Sequence, residues 1–123
     1  MHILLVEDEI LVALDIKDSL ASLGYPDVQT AEDLDTAERL LARTAPDFAL
    51  LDVNLGSALV FPLAAELKAR GIPFVFQTAS SPETFPPEWR SSTVLDKPVR
   101  LSALAAALVE LTVDAPEPQR ALA

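Results

Sequence analysis

The chain has 123 residues, 50% of them hydrophobic and 23% charged, with 19 acidic against 9 basic side chains and a net charge of -10. Such a length and apolar content fit one folded domain with its own core and exclude a disordered chain. The absence of cysteine and the single histidine exclude disulfides, thiolate chemistry and soft-metal sites, and the acidic excess argues against nucleic acid or an anionic membrane surface as partner.

In chain order, Ile3 to Val6 is a short continuous apolar run, which suits a strand buried on both faces. It turns acidic at Glu7, too soon for a signal peptide, and no other stretch approaches the eighteen apolar residues of a membrane span. No membrane insertion is expected, and by elimination the cytoplasm is the expected location. Val12, Ile16, Leu20 and Leu23 then recur at helical spacing, closed by Gly24. Val28 to Ala31 reads as a weak strand, and Leu34, Ala37, Leu40 and Leu41 as a helix ending before Pro46. Phe48 to Leu51 is a second buried strand, Ala58 to Ala69 a helix closed by Gly71, and Pro73 to Gln77 a fourth strand.

The rhythm then falters, because Ser81 to Trp89 holds three prolines and each costs about 3 kcal/mol inside a helix. Only a short or irregular fourth helix is expected there. It leaves Phe85 and Trp89 either folded onto the sheet edge or offered to a partner as an aromatic hot spot. Thr93 to Leu95 is a short fifth strand; Leu101, Leu104, Leu108 and Leu111 mark a last helix whose stripe suits packing on a sheet. The expected domain is 1–113, with a flexible tail over 114–123 rich in proline. His2 is expected to be exposed and without a catalytic role.

Strands alternating with helices imply a parallel sheet covered on both faces, and right-handed crossovers make it a doubly wound α/β fold with five strands. Ligands of such sheets bind at the C-terminal ends of the strands. The residues just past each apolar run are Glu7, Asp8 and Glu9, then Asp52, Thr78 and Lys97. Bringing like charges to 4 Å costs about 4 kcal/mol per pair at an effective dielectric of 20. A cation must offset that. Oxygen-only donors suit Mg²⁺, and Lys97 adds an ammonium and Thr78 a hydroxyl, the parts needed to hold a phosphoryl group.

The runs Ile3-Leu4-Leu5-Val6-Glu7-Asp8-Glu9, Leu50-Leu51-Asp52-Val53-Asn54-Leu55-Gly56, Thr78-Ala79 and Asp96-Lys97-Pro98-Val99 resemble the motifs of two-component response-regulator receiver domains. The resemblance implies a flavodoxin-like (βα)5 receiver fold with Asp52 as phosphoacceptor. It implies Mg²⁺ held by Asp8 directly, by Asp52 and the backbone carbonyl of Asn54, and by Glu7 largely through a metal-bound water, with Lys97 and Thr78 on the phosphoryl oxygens. Ala79 would leave the pocket open, and the bond before Pro98 would be cis. Receivers usually carry an aromatic switch where Val94 stands here. The stretch from Pro73 to Thr78 is similar in part to an alphaproteobacterial subset with Pro-Phe-x-x-x-Thr-Gly-Tyr, although Ala79-Ser80 replaces Gly-Tyr.

The function this implies is that of a stand-alone response regulator, not an enzyme in the usual sense. It would be phosphorylated by a sensor histidine kinase or histidine phosphotransfer protein, and its surface around Thr78, Ala79, Val94, Phe85 and Trp89 would signal to a downstream protein. Two alternatives compete. One is a Mg²⁺-dependent phosphatase like the haloacid dehalogenases, whose second motif Asp is Asn54 here. The other is a receiver fold used as an unphosphorylated docking module.

Overall fold

In the computed structural model, which describes residues 1–113, the apolar runs become one parallel sheet. Its strands are β1 (Ile3–Val6), β2 (Val28–Ala31), β3 (Phe48–Asp52), β6 (Phe74–Thr78) and β7 (Val94–Asp96). They lie in the order β2-β1-β3-β6-β7, and every neighbouring pair is parallel. The helices are α1 (Ile10–Ser22), α2 (Leu34–Arg43), α3 (Phe61–Ala69) and α4 (Leu101–Val113). This is the five-stranded, doubly wound, flavodoxin-like receiver fold expected from the sequence. The tail over 114–123 lies outside the described residues.

Period-two alternation divides the strand residues between two cores. Leu4, Val6, Ala49, Leu51 and Phe76 face Ala37, Leu41, Leu63 and Leu67 of α2 and α3. Ile3, Leu5, Phe48, Leu50 and Val75 face Ile16, Leu20, Leu104 and Leu108 of α1 and α4. Each fully buried large side chain contributes roughly 1.5–3 kcal/mol, so two complete layers hold the sheet without staples. After β1 the chain steps outward to β2, and it returns to β3 on the other side of β1. That reversal opens a crevice at the C-terminal ends of β1 and β3.

Three details differ from the sequence expectations. The helix expected from Ala58 starts at Phe61, because a hairpin of β4 (Asn54–Leu55) and β5 (Ala58–Leu59) precedes it. Gly56, at φ +67, makes its two-residue turn with Ser57, and the Val60 amide donates to Val53 O at 3.1 Å. Helical spacing cannot reveal a hairpin this short. His2 is not exposed: its side chain retains 16% of its accessible surface, its Nδ1 lies 3.3 Å from Asp27, and its amide donates to Asp47 Oδ2 at 2.7 Å.

Phe85 and Trp89 are the third correction, since neither is available as a partner surface. They are 2% and 7% exposed. The prolines do forbid an α-helix, but two 3-10 turns form instead, Pro82–Thr84 and Pro87–Trp89. These turns set both rings against Phe61 and Phe76, and Trp89 also against Phe74, with centroids 5.3 to 6.1 Å apart. The partners come from α3 and β6, so a local reading of the loop could not choose between burial and display.

Candidate functional site

Glu7 continues the ladder one residue past β1, its amide donating to Ala31 O at 2.9 Å. Its side chain therefore stands in the same transverse row as Asp52 at the end of β3. Both carboxylates are buried, at 2% and 3% exposure, while Asp8, the next residue, is exposed. One oxygen each from Glu7, Asp8 and Asp52 lies within 4.8 Å of the others. The Gly56 turn closes over this group, so that a Cβ there would stand 4.0 Å from Asp8 Oδ2.

Lys97, in the loop after β7, supplies the opposite charge. Its Nζ lies 2.9 Å from Glu7 Oε1 and 3.1 Å from Asp52 Oδ2. The remaining oxygens are engaged more weakly: Glu7 Oε2 accepts from the Glu9 amide at 3.1 Å, and Asp52 Oδ1 from the Asn54 amide at 3.4 Å. Burial is the main cause that pushes the Asp52 carboxyl up to about 7, reinforced by its proximity to Glu7 and opposed by Lys97. Burial also works against the charge of Lys97, yet its contacts with Glu7 and Asp52 prevail and hold the ammonium above its usual range. One lysine thus balances the two buried acids incompletely. The donor set is all oxygen, with the exposed Asp8 at its mouth, which fits a hard divalent cation of the Mg²⁺ type.

Other residues singled out by the sequence stand at different distances from this cluster. Thr78 ends β6 and is 1% exposed, and its Oγ1 accepts from the Ser80 amide at 3.0 Å rather than meeting the carboxylates. Ala79 and Asn54 are exposed, and Val94 is half-buried against the aromatic layer. The Lys97–Pro98 peptide is cis. Sequence reasoning missed Gln77, which is fully buried beside Asp52 and donates from Nε2 to Glu7 Oε1 at 3.3 Å. An amide at the end of the run Phe74-Val75-Phe76 was the available signal, because a buried polar group needs a partner.

Paired buried carboxylates and a lysine at the switch point of a parallel α/β sheet stand where doubly wound folds take their ligands. The chain belongs to the response regulator receiver domain family, whose model matches residues 3–109. Receiver domains are signalling phosphoacceptors of two-component systems, which takes the place of the phosphatase reading. Among solved structures, SdrG from Sphingomonas melonis Fr1 is 38% identical, with a TM-score of 0.79 over 90% of this chain and 95% of that one. The BeF3-activated conformation of SdrG, from Pseudomonas melonis Fr1, gives the same identity and coverage with a TM-score of 0.76. The sensory transduction protein LytR of Streptococcus mutans is 34% identical over 84 residues, 64% of this chain. The chain spans only 34% of the length of that curated relative. Among the described residues no helix is long and apolar enough to cross a membrane.

Proposed function

We propose that this receiver accepts a phosphoryl group on Asp52 from the phosphohistidine of a sensor kinase or a histidine phosphotransfer protein, with Mg²⁺, and passes the signal on through protein contacts. The observation that carries this reading is the contact of Lys97 with both Glu7 and Asp52 beside the third carboxylate of Asp8. In the transfer, an Asp52 oxygen forms the new O–P bond as the P–N bond to the donor imidazole breaks. The electron pair stays on the departing nitrogen, and a donor ring protonated on its other nitrogen leaves as neutral imidazole, so this chain need supply no acid.

Glu7, Asp8, Asp52 and the Asn54 carbonyl would hold the Mg²⁺, which when bound supplies positive charge to the phosphoryl oxygens and favours the ionised form of Asp52. Lys97 keeps a fixed ammonium beside the acceptor oxygen, so charge arriving on the phosphoryl group meets a pre-set partner. Thr78 accepts the Ser80 amide through its oxygen and keeps its own hydroxyl hydrogen free, so turning that hydroxyl to donate to a phosphoryl oxygen changes the rotamer on which the Ser80 amide is held. That change ties occupancy of Asp52 to the loop from Ala79 to Arg90. The BeF3-activated form of SdrG, a 38% identical relative, supports the same chemistry here.

The test is transfer of labelled phosphoryl from histidine kinases to the parent protein and to Asp52→Ala, with Mg²⁺ present and then chelated. Label on the parent is expected to vanish in the variant and on chelation. Equal labelling of Asp52→Ala defeats the assignment. Absence of any labelling of the parent, by kinases and by small phosphodonors alike, favours the unphosphorylated docking module.

A further inference from the structure

Gln77 occupies a position where an apolar residue would complete the core. It lies in β6, in register with Asp52 on β3 and Leu95 on β7, and has no solvent exposure. Val75, two residues earlier on the same face, is an ordinary core residue. The Gln77 amide is only half satisfied: Nε2 donates to Glu7 Oε1 at 3.3 Å, while Oε1 is buried with no hydrogen-bond partner. A carboxylate can only accept, so Glu7 fixes the orientation of the amide, and the flipped rotamer would set oxygen against oxygen. A buried acceptor left unmet is destabilising, and packing alone gives no reason to keep an amide there.

We infer that Gln77 is a positioning residue of the acidic site, whose amide donor holds the Glu7 carboxylate in the orientation the cation requires. This rests on the reading of Glu7, Asp8 and Asp52 as the metal site. Glu7 Oε1 is shared between Gln77 and Lys97, and Glu7 Oε2 takes the Glu9 amide. Among these donors only the Gln77 amide projects from a central strand of the sheet. The Glu9 amide and Lys97 both belong to segments outside the strands. Without Gln77 the carboxylate loses its rigid anchor and turns toward Lys97. Groups that orient a metal-binding carboxylate in this way typically change affinity by 10- to 100-fold when removed.

Gln77→Met keeps the length and approximate volume of the side chain and removes both amide atoms. MgCl₂ is titrated into the full chain without any phosphodonor, following the amide resonances of Glu9 and Asn54, and metal-free stability is measured by urea unfolding. The apparent Kd for Mg²⁺ is expected to rise about tenfold, while the urea midpoint stays level or rises, since an unmet acceptor has been removed. A purely structural glutamine would give the reverse, a lowered midpoint with an unchanged Kd, and that result overturns the inference. Should the Met variant not fold, Gln77→Asn withdraws the same amide by one methylene and must also weaken Mg²⁺ binding. Asp8→Asn separates the two levels. If it abolishes binding and Gln77→Met does not weaken it, only the role of Gln77 falls; if Asp8→Asn binds like the parent, the metal site itself falls and Gln77 with it.

Discussion

The two faces of β6 do opposite things within five residues. On one face Phe74 and Phe76 meet Phe61, Phe85 and Trp89, with ring planes mostly at 63° to 89° in the edge-to-face arrangement that aromatic quadrupoles favour. On the other, Val75 gives way to Gln77, which stands beside Asp52 and touches Glu7. The first face gathers apolar surface from a loop that has two 3-10 turns and no α-helix. The second gathers buried acids around one ammonium and leaves an amide oxygen unmet. The pleat of a single strand thus sets an aromatic row beside the row that carries the buried amide.

The contrast is broken most severely from the aromatic side. Phe76 is fully buried at the centre of the cluster, and Phe76→Ala is expected to cost about 3–5 kcal/mol in chemical denaturation. If the loss stays below about 1 kcal/mol, the aromatic layer does not carry the stability assigned to it.

The polar face should give an effect of opposite sign. Asp52 titrates near 3.8 when unfolded and is pushed up to about 7 in the metal-free fold. Between those values the native state holds the proton and the unfolded state has released it. Its contribution is therefore full below 3.8 and lost as pH rises through about 7. Metal-free protein is expected to be more stable at about pH 5 than at about pH 8, by at most about 2.7 kcal/mol. Asp52→Asn should flatten that slope and raise stability at the higher pH. A parent profile that rises instead across this window would contradict the burial argument.

The smallest effect is expected far from both faces. Arg39 and Asp35 form an exposed i,i+4 pair on α2 at 2.5 Å, with both side chains more than 70% exposed. Arg39→Ala should change stability by no more than about 0.5 kcal/mol, and thermal unfolding of the two proteins side by side checks it. A larger loss would mean that surface charge, in a chain of net charge -10, contributes more than an ordinary exposed pair.

Legibility in the sequence followed the range of the interactions. The runs at Ile3 and Phe48 suit buried strands, and the rule that ligands sit past the C-terminal ends of parallel strands led from them to Glu7, Asp8 and Asp52, and from the short run at Thr93 to Lys97, without any coordinates. The same reading mistook Ala58 and Leu59 for helix, because a two-residue strand has no period to detect. It also could not place Phe85 and Trp89, whose neighbours lie on α3 and β6.

The sequence by itself determined the alternation of strands and helices, the doubly wound class and the set of acids and lysine at one edge, because these depend on local apolar periodicity and on chain order. Only the tertiary structure decided which donor each carboxylate oxygen receives, that the proline-rich loop turns its rings inward, and that Gln77 reaches Glu7 across a separation of 70 residues. Such pairings depend on which strands become neighbours and in what register. A one-residue slip of β6 would exchange the places of Phe76 and Gln77, moving the amide into the aromatic layer and a ring into the acidic site.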